Sequence, residues 1–285
     1  MTKVTDRISD SAMVEFAKKQ YESKQKSKVP TQIVHLTSKG LVYPESHLLR
    51  QGYVNMRFMT AYDEDIITNE SYIREGIVFD MLLAELITDD IDVSEIANID
   101  RDGLLINARI LGYGAEYPII VFDPKTNKQL ERTIDLHQIL TAEFNLTPDS
   151  NGEFLYTDDV NTIKFRFKNN YDEQKADQSR LISSFLFSVI TEVNGKRAIG
   201  DIEQFIKYEF SLKHSKLFRK YYTDNSPKLV NELEFEGENG DTFTSSFQIG
   251  SDLFWTWFRL SSLLAIIDIW YDMAFGRTVW LGYFV

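Results

Sequence analysis

The stretch SKGLVYPESHLLRQGYVNMRFMTAYDEDIIT, residues 38–68, predicts a turn, a loop, a strand and the start of a helix, in that order. Ser38-Lys39-Gly40 has the composition of a turn. Residues 53–60 alternate apolar and polar side chains as a strand does. Thr60 then stands three residues before Asp63, a variant of the helix-capping box. Nothing in this stretch is arranged for catalysis, so it indicates a structural module.

Five segments of the sequence resemble one known family. They are SKGLVYPE, VNMRFMTAYDEDIIT, RDGLLINARILGYGAEYP, VNELEFEGENG and DLFWTWF, and together they span about residues 39–258. The chain resembles the baseplate-hub assembly family of T-even-type contractile-tailed phages. The resemblance implies a phage tail protein that acts in or on the central baseplate hub without enzymatic activity.

The chain contains no cysteine, which excludes disulfides, thiolate zinc sites and cysteine nucleophiles. Members of the resembled family commonly carry paired cysteines at two β-turns. The corresponding places here are residues 123–127 (DPKTN) and 236–240 (EGENG), which have the composition of plain hairpin turns. We therefore expect no structural zinc, no other metal and no cofactor.

Composition describes an ordinary globular protein of 285 residues, with 43% hydrophobic, 26% charged and a high 13% aromatic residues. The formal net charge of −12 argues against binding to nucleic acid or to an anionic membrane surface. The beginning of the sequence, MTKVTDRISD, has no apolar run, so no signal peptide is expected. The expected location is the host cytoplasm during assembly and the tail baseplate of the virion afterwards.

The predicted elements fall into two similar series. The first series is a strand over 31–37, a helix over 70–86, a helix over 101–111 capped by Asp100, and strands over 117–122 and 130–136. The second series is strands over 153–156 and 162–167, helices over 179–192, 202–210 (capped by Asp201) and 213–222, and a hairpin over 229–236 and 242–249.

The two series repeat at an offset of 109 residues. Val54–Phe58 matches Ile163–Phe167, and the pairs that share the offset are Thr60 with Asn169, Tyr62 with Tyr171, and Pro118 with Pro227. We interpret this as two copies of one strand–helices–hairpin module, too few for a solenoid. Arg57 and Arg166 are expected on the outward faces of matched strands, and Arg109 and Arg219 on matched helices. They would pair with acidic partners or brace the two copies against each other.

The predicted fold class is α+β. Two related modules, 31–147 and 148–252, would each hold a small antiparallel sheet or hairpin with two or three helices. A polar, lysine-rich N-terminal arm, 1–30, precedes them, and Ser9 to Tyr21 can form a helix with Ile8, Met13, Phe16 and Ala17 on one side. The arm is either a solvated tail or a segment that orders on a partner.

An apolar C-terminal segment, 253–285, contains all four tryptophans. Charged residues interrupt it, so its longest uncharged run is far below the roughly 20 residues that a membrane helix needs. A buried helix packed on the body and a protein–protein interface both remain open. The candidate interface residues are Phe254, Trp255, Trp257, Phe258, Trp270, Tyr271, Trp280, Tyr283 and Phe284.

Searches for catalytic motifs find no phosphate-binding loop, no dinucleotide-binding glycine pattern and no nucleophile elbow. The four histidines are scattered. The acidic runs at residues 63–65, 89–92 and 158–159 lack the spacing of a calcium loop and are expected to be solvated helix starts and turns.

Two functions of different classes remain. The first is a non-enzymatic structural or assembly component of the central baseplate hub within a symmetric multi-protein assembly, with other baseplate or hub proteins and the tape measure as partners. The second is a transient assembly chaperone that is absent from the mature virion. A tail-associated lytic enzyme is a distant third.

Overall fold

The computed structural model describes residues 29–140, 144–169, 171–172, 179–230, 232–246 and 251–254. Within these residues small antiparallel sheets alternate with helices, which confirms the α+β class. The helices of the described residues all fall short of the length and apolar composition that a membrane crossing requires. The predicted helix of the N-terminal arm lies outside the described residues.

The first half contains a two-stranded sheet, four helices and a hairpin. Its elements are β1 (Thr31–His35), β2 (Tyr53–Arg57), α1 (Ala61–Ile67), α2 (Glu70–Glu75), α3 (Val78–Leu86), α4 (Asn98–Tyr113), β3 (Glu116–Asp123) and β4 (Lys128–Asp135). Strand β1 pairs antiparallel with β2, and β3 with β4. Short 3-10 turns occupy Leu48–Gln51, Val93–Glu95 and Leu136–Ile139.

The second half contains a three-stranded antiparallel sheet, three helices and a hairpin among its described residues. Its elements are β5 (Phe154–Thr157), β6 (Thr162–Phe165), α5 (Leu181–Val189), β7 (Ile190–Val193), α6 (Ile199–Gln204), a π-helical turn over Phe205–Glu209, α7 (Leu212–Asn225), β8 (Glu232–Glu236) and β9 (Thr242–Ser246). A 3-10 turn at Ser251–Phe254 ends the described part.

The prediction of a single helix over residues 70–86 is wrong, because two helices, α2 and α3, occupy this range. Gly76 adopts φ +71°, and its N–H bonds to the carbonyls of Tyr72 and Ile73, which ends α2. Helix α3 begins two residues later. The apolar periodicity of the stretch was real, but glycine in the left-handed conformation ends a helix regardless of the pattern around it.

Two other predicted boundaries also change. Helix α4 begins at Asn98 with Ala97 as its N-cap, so Asp100 lies inside the first turn and does not cap the helix. Likewise Ala198 stands at the N-cap of α6 in place of Asp201. Helix α5 ends at Val189, and the chain continues directly as strand β7 because Ile190 pairs with Phe165.

A continuous hydrophobic core runs through both halves, with different residue types in each. The fully buried side chains of the first half are aliphatic, and include Leu49, Met56, Leu82 and Leu104. The second half is filled by rings, and the largest are Phe154, Phe165 and Phe218. Phe144 joins the halves, with its ring centroid 5.5 Å from that of Phe154 and 5.8 Å from that of Phe167.

Backbone from two other parts of the chain lies against the loop of residues 38–44. Gly40, at φ +78°, lies so close to the Leu49–Arg50 backbone that an added Cβ would stand 2.6 Å from the Arg50 carbonyl oxygen. Gly152, from the second half, packs against Tyr43 in the same way: a Cβ added to Gly152 would stand 2.5 Å from the Tyr43 carbonyl carbon. These close approaches require glycine for space as well as for conformation.

Replacing Gly40 by alanine is expected to lower the free energy of unfolding by about 3 kcal/mol or more, because the new methyl group meets fixed backbone atoms. Gly76 is the matched control: its φ is also positive, but no atom lies within 4 Å of an added Cβ. Gly76→Ala should cost only about 1 kcal/mol of conformational strain. Urea unfolding followed by circular dichroism measures both. Equal losses in the two variants would contradict the close packing of the loop.

Candidate functional site

Arg57 and Asp63 form a buried ion pair where β2 meets α1. The Arg57 guanidinium donates to both carboxylate oxygens of Asp63, at 2.8 and 2.7 Å. The side chain of Arg57 is 4% exposed and that of Asp63 is fully buried. Arg57 also donates to the backbone carbonyl and the carboxylate of Glu85 at the end of α3, each at 3.2 Å. One side chain therefore ties a strand to two helices.

The same carboxylate caps helix α1. The Thr60 N–H donates to Asp63 Oδ2 at 2.7 Å, and the Thr60 hydroxyl lies 3.1 Å from the same oxygen, as the capping-box pattern predicts. Burial alone would raise the pKa of Asp63, but the hydrogen bonds from Arg57 and the Thr60 backbone outweigh it, so this pKa lies below its ordinary value. The charged form of Asp63 is therefore the stable one in the folded protein.

The second half contains the same arrangement 109 residues later. Arg166 donates to both carboxylate oxygens of Asp172, at 2.8 and 2.7 Å. The Asn169 N–H donates to Asp172 Oδ2 at 3.1 Å, and the Asp172 N–H returns to the Asn169 side chain at 3.2 Å. Arg166 is 35% exposed, so this pair lies nearer to solvent than the first.

The expected outward position of Arg57 is wrong, because Asp63 and α3 cover its side chain. Each of the two arginines binds within its own half and does not brace one half against the other. The sequence contained a signal for the pairing that the prediction missed: an aspartate follows each arginine by six residues.

Asp100 is a buried carboxylate at the centre of the first half. It accepts hydrogen bonds from the Ser38 N–H (2.7 Å), the Ser38 hydroxyl (2.6 Å) and the Tyr43 hydroxyl (2.8 Å). The Tyr43 hydroxyl in turn accepts from the Ala97 N–H at 3.0 Å. Burial raises the pKa of Asp100, and these hydrogen bonds oppose that effect. Burial also raises the pKa of Tyr43, which keeps it a donor.

Arg109 on α4 holds the chain where the C-terminal segment begins. Its Nε donates to the Leu253 carbonyl at 3.0 Å and one terminal nitrogen donates to the Gly114 carbonyl at 3.0 Å. Its guanidinium carbon lies 4.9 Å from the centroid of the Tyr113 ring. Burial lowers the pKa of this arginine, which is 3% exposed. Leu253, which follows the second half in sequence, therefore packs against helix α4 of the first half.

The prediction that Phe254 belongs to an interface is wrong. It is 2% exposed, and its ring centroid lies 6.0 Å from that of Phe79, so it belongs to the chain's own core. The other eight candidate interface residues lie outside the described residues. Of the repeat-related residues, Tyr62 and Tyr171 are exposed, Pro118 lies on the exposed side of β3, and Pro227 is buried.

The turns at residues 123–127 and 236–240 lie side by side. Lys128 beside the first turn pairs with Glu238 in the second at 2.7 Å, and Lys125 pairs with Asp241 at 2.8 Å. Arg132 donates to the Glu236 carbonyl at 2.6 Å. Ion pairs and hydrogen bonds therefore join the tips of the β3–β4 and β8–β9 hairpins.

Asp158, Asp159 and His214 come together at the tip of the β5–β6 hairpin, with one ligand atom of each within 4.8 Å of the others. Asp158 is almost buried, against the expected solvated turn, and His214 Nδ1 lies 2.9 Å from it. Its other contacts are the Val160 and Asn161 N–H groups and the Tyr156 hydroxyl. The cluster therefore fixes the start of α7 to the hairpin turn.

A family model described as T4 bacteriophage base plate protein matches residues 45–239, which is more than half of the chain. The matched range includes both arginine–aspartate pairs. No curated protein matches the chain, and no solved structure matches it.

Arg57→Lys should lower the free energy of unfolding by about 1–3 kcal/mol, because an ammonium group cannot make the two-point contact with a buried carboxylate. Arg166→Lys is the matched variant in the second half. Its cost should stay below about 1 kcal/mol, since that arginine is more exposed and water can replace its bonds. Chemical unfolding of the three proteins tests the difference. A larger loss for Arg166→Lys would contradict it.

The contribution of Asp63 to stability should depend on pH. Because the folded pKa of Asp63 lies below the unfolded value of about 3.9, its stabilisation is complete above that value and disappears as the pH falls through the folded pKa. The difference in unfolding free energy between the wild type and Asp63→Asn should be constant from pH 7 to about 5 and shrink below pH 4. A difference that stays unchanged down to pH 3 would contradict the ion pair.

Proposed function

The chain belongs to the T4 bacteriophage base plate protein family and is a structural component of the phage tail baseplate, and we propose that it acts there in the central hub, as a non-enzymatic protein that works through protein–protein interfaces. Its partners are other baseplate or hub proteins, with the tape measure among them. The proposal rests on the family match and on how the described residues use their ionisable groups.

The buried carboxylates of the described residues all take part in internal contacts. Asp63 and Asp172 bind Arg57 and Arg166, and Glu153 binds Arg197 through two hydrogen bonds of 3.0 and 2.7 Å. Asp100 accepts hydrogen bonds from the loop of residues 38–44, and Asp123 accepts them from its own turn. Catalytic carboxylates need free access to substrate, so this use of the groups supports a structural role.

Exposed apolar side chains supply surfaces for partners. The most exposed are Ile199 and Tyr208, both 82% accessible, and Leu212, which is 79% accessible. They lie on or beside α6, the π-helical turn and α7. Apolar side chains that remain exposed on a monomer are typical of regions that become buried in an assembly.

We further propose that the two halves arose by duplication. Each begins with an antiparallel strand pair, and at or next to the end of each second strand an arginine binds the carboxylate of an aspartate six residues later. A helix then leads back to that strand: Ile87 after α3 bridges Met56, and Ile190 after α5 pairs with Phe165, which is 109 residues after Met56. Each half ends in a hairpin.

The aromatic residues after Phe254 are proposed as the main interface, from Trp255 to Phe284. Two observations support this. The Arg109 contact with Leu253 and the burial of Phe254 anchor the chain just before these residues. The residues from 255 onwards also carry all four tryptophans, a residue type enriched at the centres of interfaces.

Quantitative mass spectrometry of purified virions and of infected-cell lysate tests the proposed role. We expect a fixed number of copies per particle, in multiples of three or six, because the hub of a tail is symmetric. Abundance in the lysate with absence from purified particles would overturn the proposal and support a transient assembly chaperone. If the protein is found in particles, deleting residues 255–285 should abolish its incorporation into the virion. Arg166→Lys serves as a control, because it leaves residues 255–285 unchanged.

A further inference from the structure

The outer face of the β3–β4 hairpin is apolar along β3 and polar along β4, where Glu131 and Asp135 are acidic. Strand β3 alternates strictly, so Pro118, Ile120 and Phe122 point away from the core, and Ile120 and Phe122 are 53% and 52% exposed. In the register they stand opposite Thr133, Glu131 and Gln129 of β4. A strand pair with one apolar face open to water gains free energy when that face is covered.

A groove of about 860 Å³ lies at the base of the hairpin and shares Glu116, Thr133 and Asp135 with this face. Its lining also includes Ile134 and Phe235, whose side chains are buried. A third acidic residue of the lining is Glu234. Among the described residues that line the groove, none is a lysine or an arginine. The outer face and the groove together are called the acidic face below.

The chain contains one segment whose chemistry is complementary to the acidic face. Residues 1–28 have seven basic and four acidic residues, whereas the remaining residues have 24 basic and 39 acidic. Five lysines lie in the last eleven positions of the segment, 18–28, with a single glutamate. The apolar side chains at 8, 13, 16 and 17 share one side of a helix pattern. The segment thus combines an apolar side with a cluster of positive charge.

The point where the described chain begins also favours this segment. The Pro30 carbonyl accepts a hydrogen bond from the Phe58 N–H at 3.1 Å. The next residue, Met59, lies directly over Gly112, and Ala115, three residues further along, lines the groove. Residues 1–28 therefore join the described chain beside Phe58, and 28 residues at roughly 3.3–3.6 Å each are long enough to reach the acidic face.

We propose that residues 1–28 bind the acidic face of the same chain, with the apolar side of the segment on Ile120 and Phe122 and its lysines beside Glu116, Glu131 and Glu234. The binding is internal to the chain and does not depend on the proposed hub function. Attraction between the lysines and the carboxylates weakens with salt, since the Debye length falls from about 10 Å at 0.1 M to about 3 Å at 1 M.

Photo-cross-linking of the full-length protein tests the proposal. A benzoylphenylalanine residue is introduced in place of Thr133 in the groove, and in a control protein in place of Ile199, which is 82% exposed on α6. After irradiation, peptide mass spectrometry should find cross-links from position 133 to residues 1–28 at several-fold higher yield than from position 199. The products should migrate as monomers on a denaturing gel.

A charge variant separates specific docking from accidental contact. Lys18→Glu with Lys19→Glu should lower the yield from position 133 several-fold, as should 0.5 M salt. Equal yields from positions 133 and 199, an unchanged yield in the charge variant, or cross-links from position 133 to residues 255–285 would each overturn the proposal. A product that migrates as a dimer would overturn the assignment to the same chain. None of these results bears on the copy number in virions, so the two proposals fail independently.

Discussion

The buried carboxylate of Asp100 is the constraint on which the first half depends. A carboxylate removed from water must be satisfied by donors, because an isolated buried charge is far more costly than a hydrogen-bonded one. Ser38 and Tyr43 supply those donors, and in doing so they bring the loop of residues 38–44 onto α4. The loop then requires Gly40 and Gly152 where other backbone segments approach it. A single buried carboxyl group thus accounts for the path of the loop and for its contact with the second half.

The two arginine–aspartate pairs show how one local arrangement serves two environments. In both halves the arginine lies at or next to the end of a strand and meets the carboxylate of the aspartate six residues later. In the first half, α3 and Glu85 cover the pair, and in the second half it stays partly in water. Since the contribution of an ion pair rises when both partners are buried and fully hydrogen-bonded, equal geometry does not imply equal energy.

Hydrogen bonds and ion pairs join the two halves of the chain. The Asn98 N–H donates to the Lys168 carbonyl, and the tips of the two hairpins are joined by ion pairs. Arg109 then returns the end of the described chain to α4. Exposed apolar side chains such as Ile199 and Tyr208 take no part in these contacts and are available for an assembly. This distribution of groups is consistent with a baseplate component that acts by contact.

Sequence alone determined the elements whose causes lie within a few residues. The hairpin strands follow from alternation, and the capping boxes at Thr60 and Asn169 follow from the residues three positions later. Only the tertiary structure decided the burial of Asp100, the cover over Arg57 and the contact between Arg109 and Leu253. Their partners lie 62, 28 and 144 residues away. Local propensity carries no information about such distant partners, whereas the free energy of burying a charge depends entirely on them.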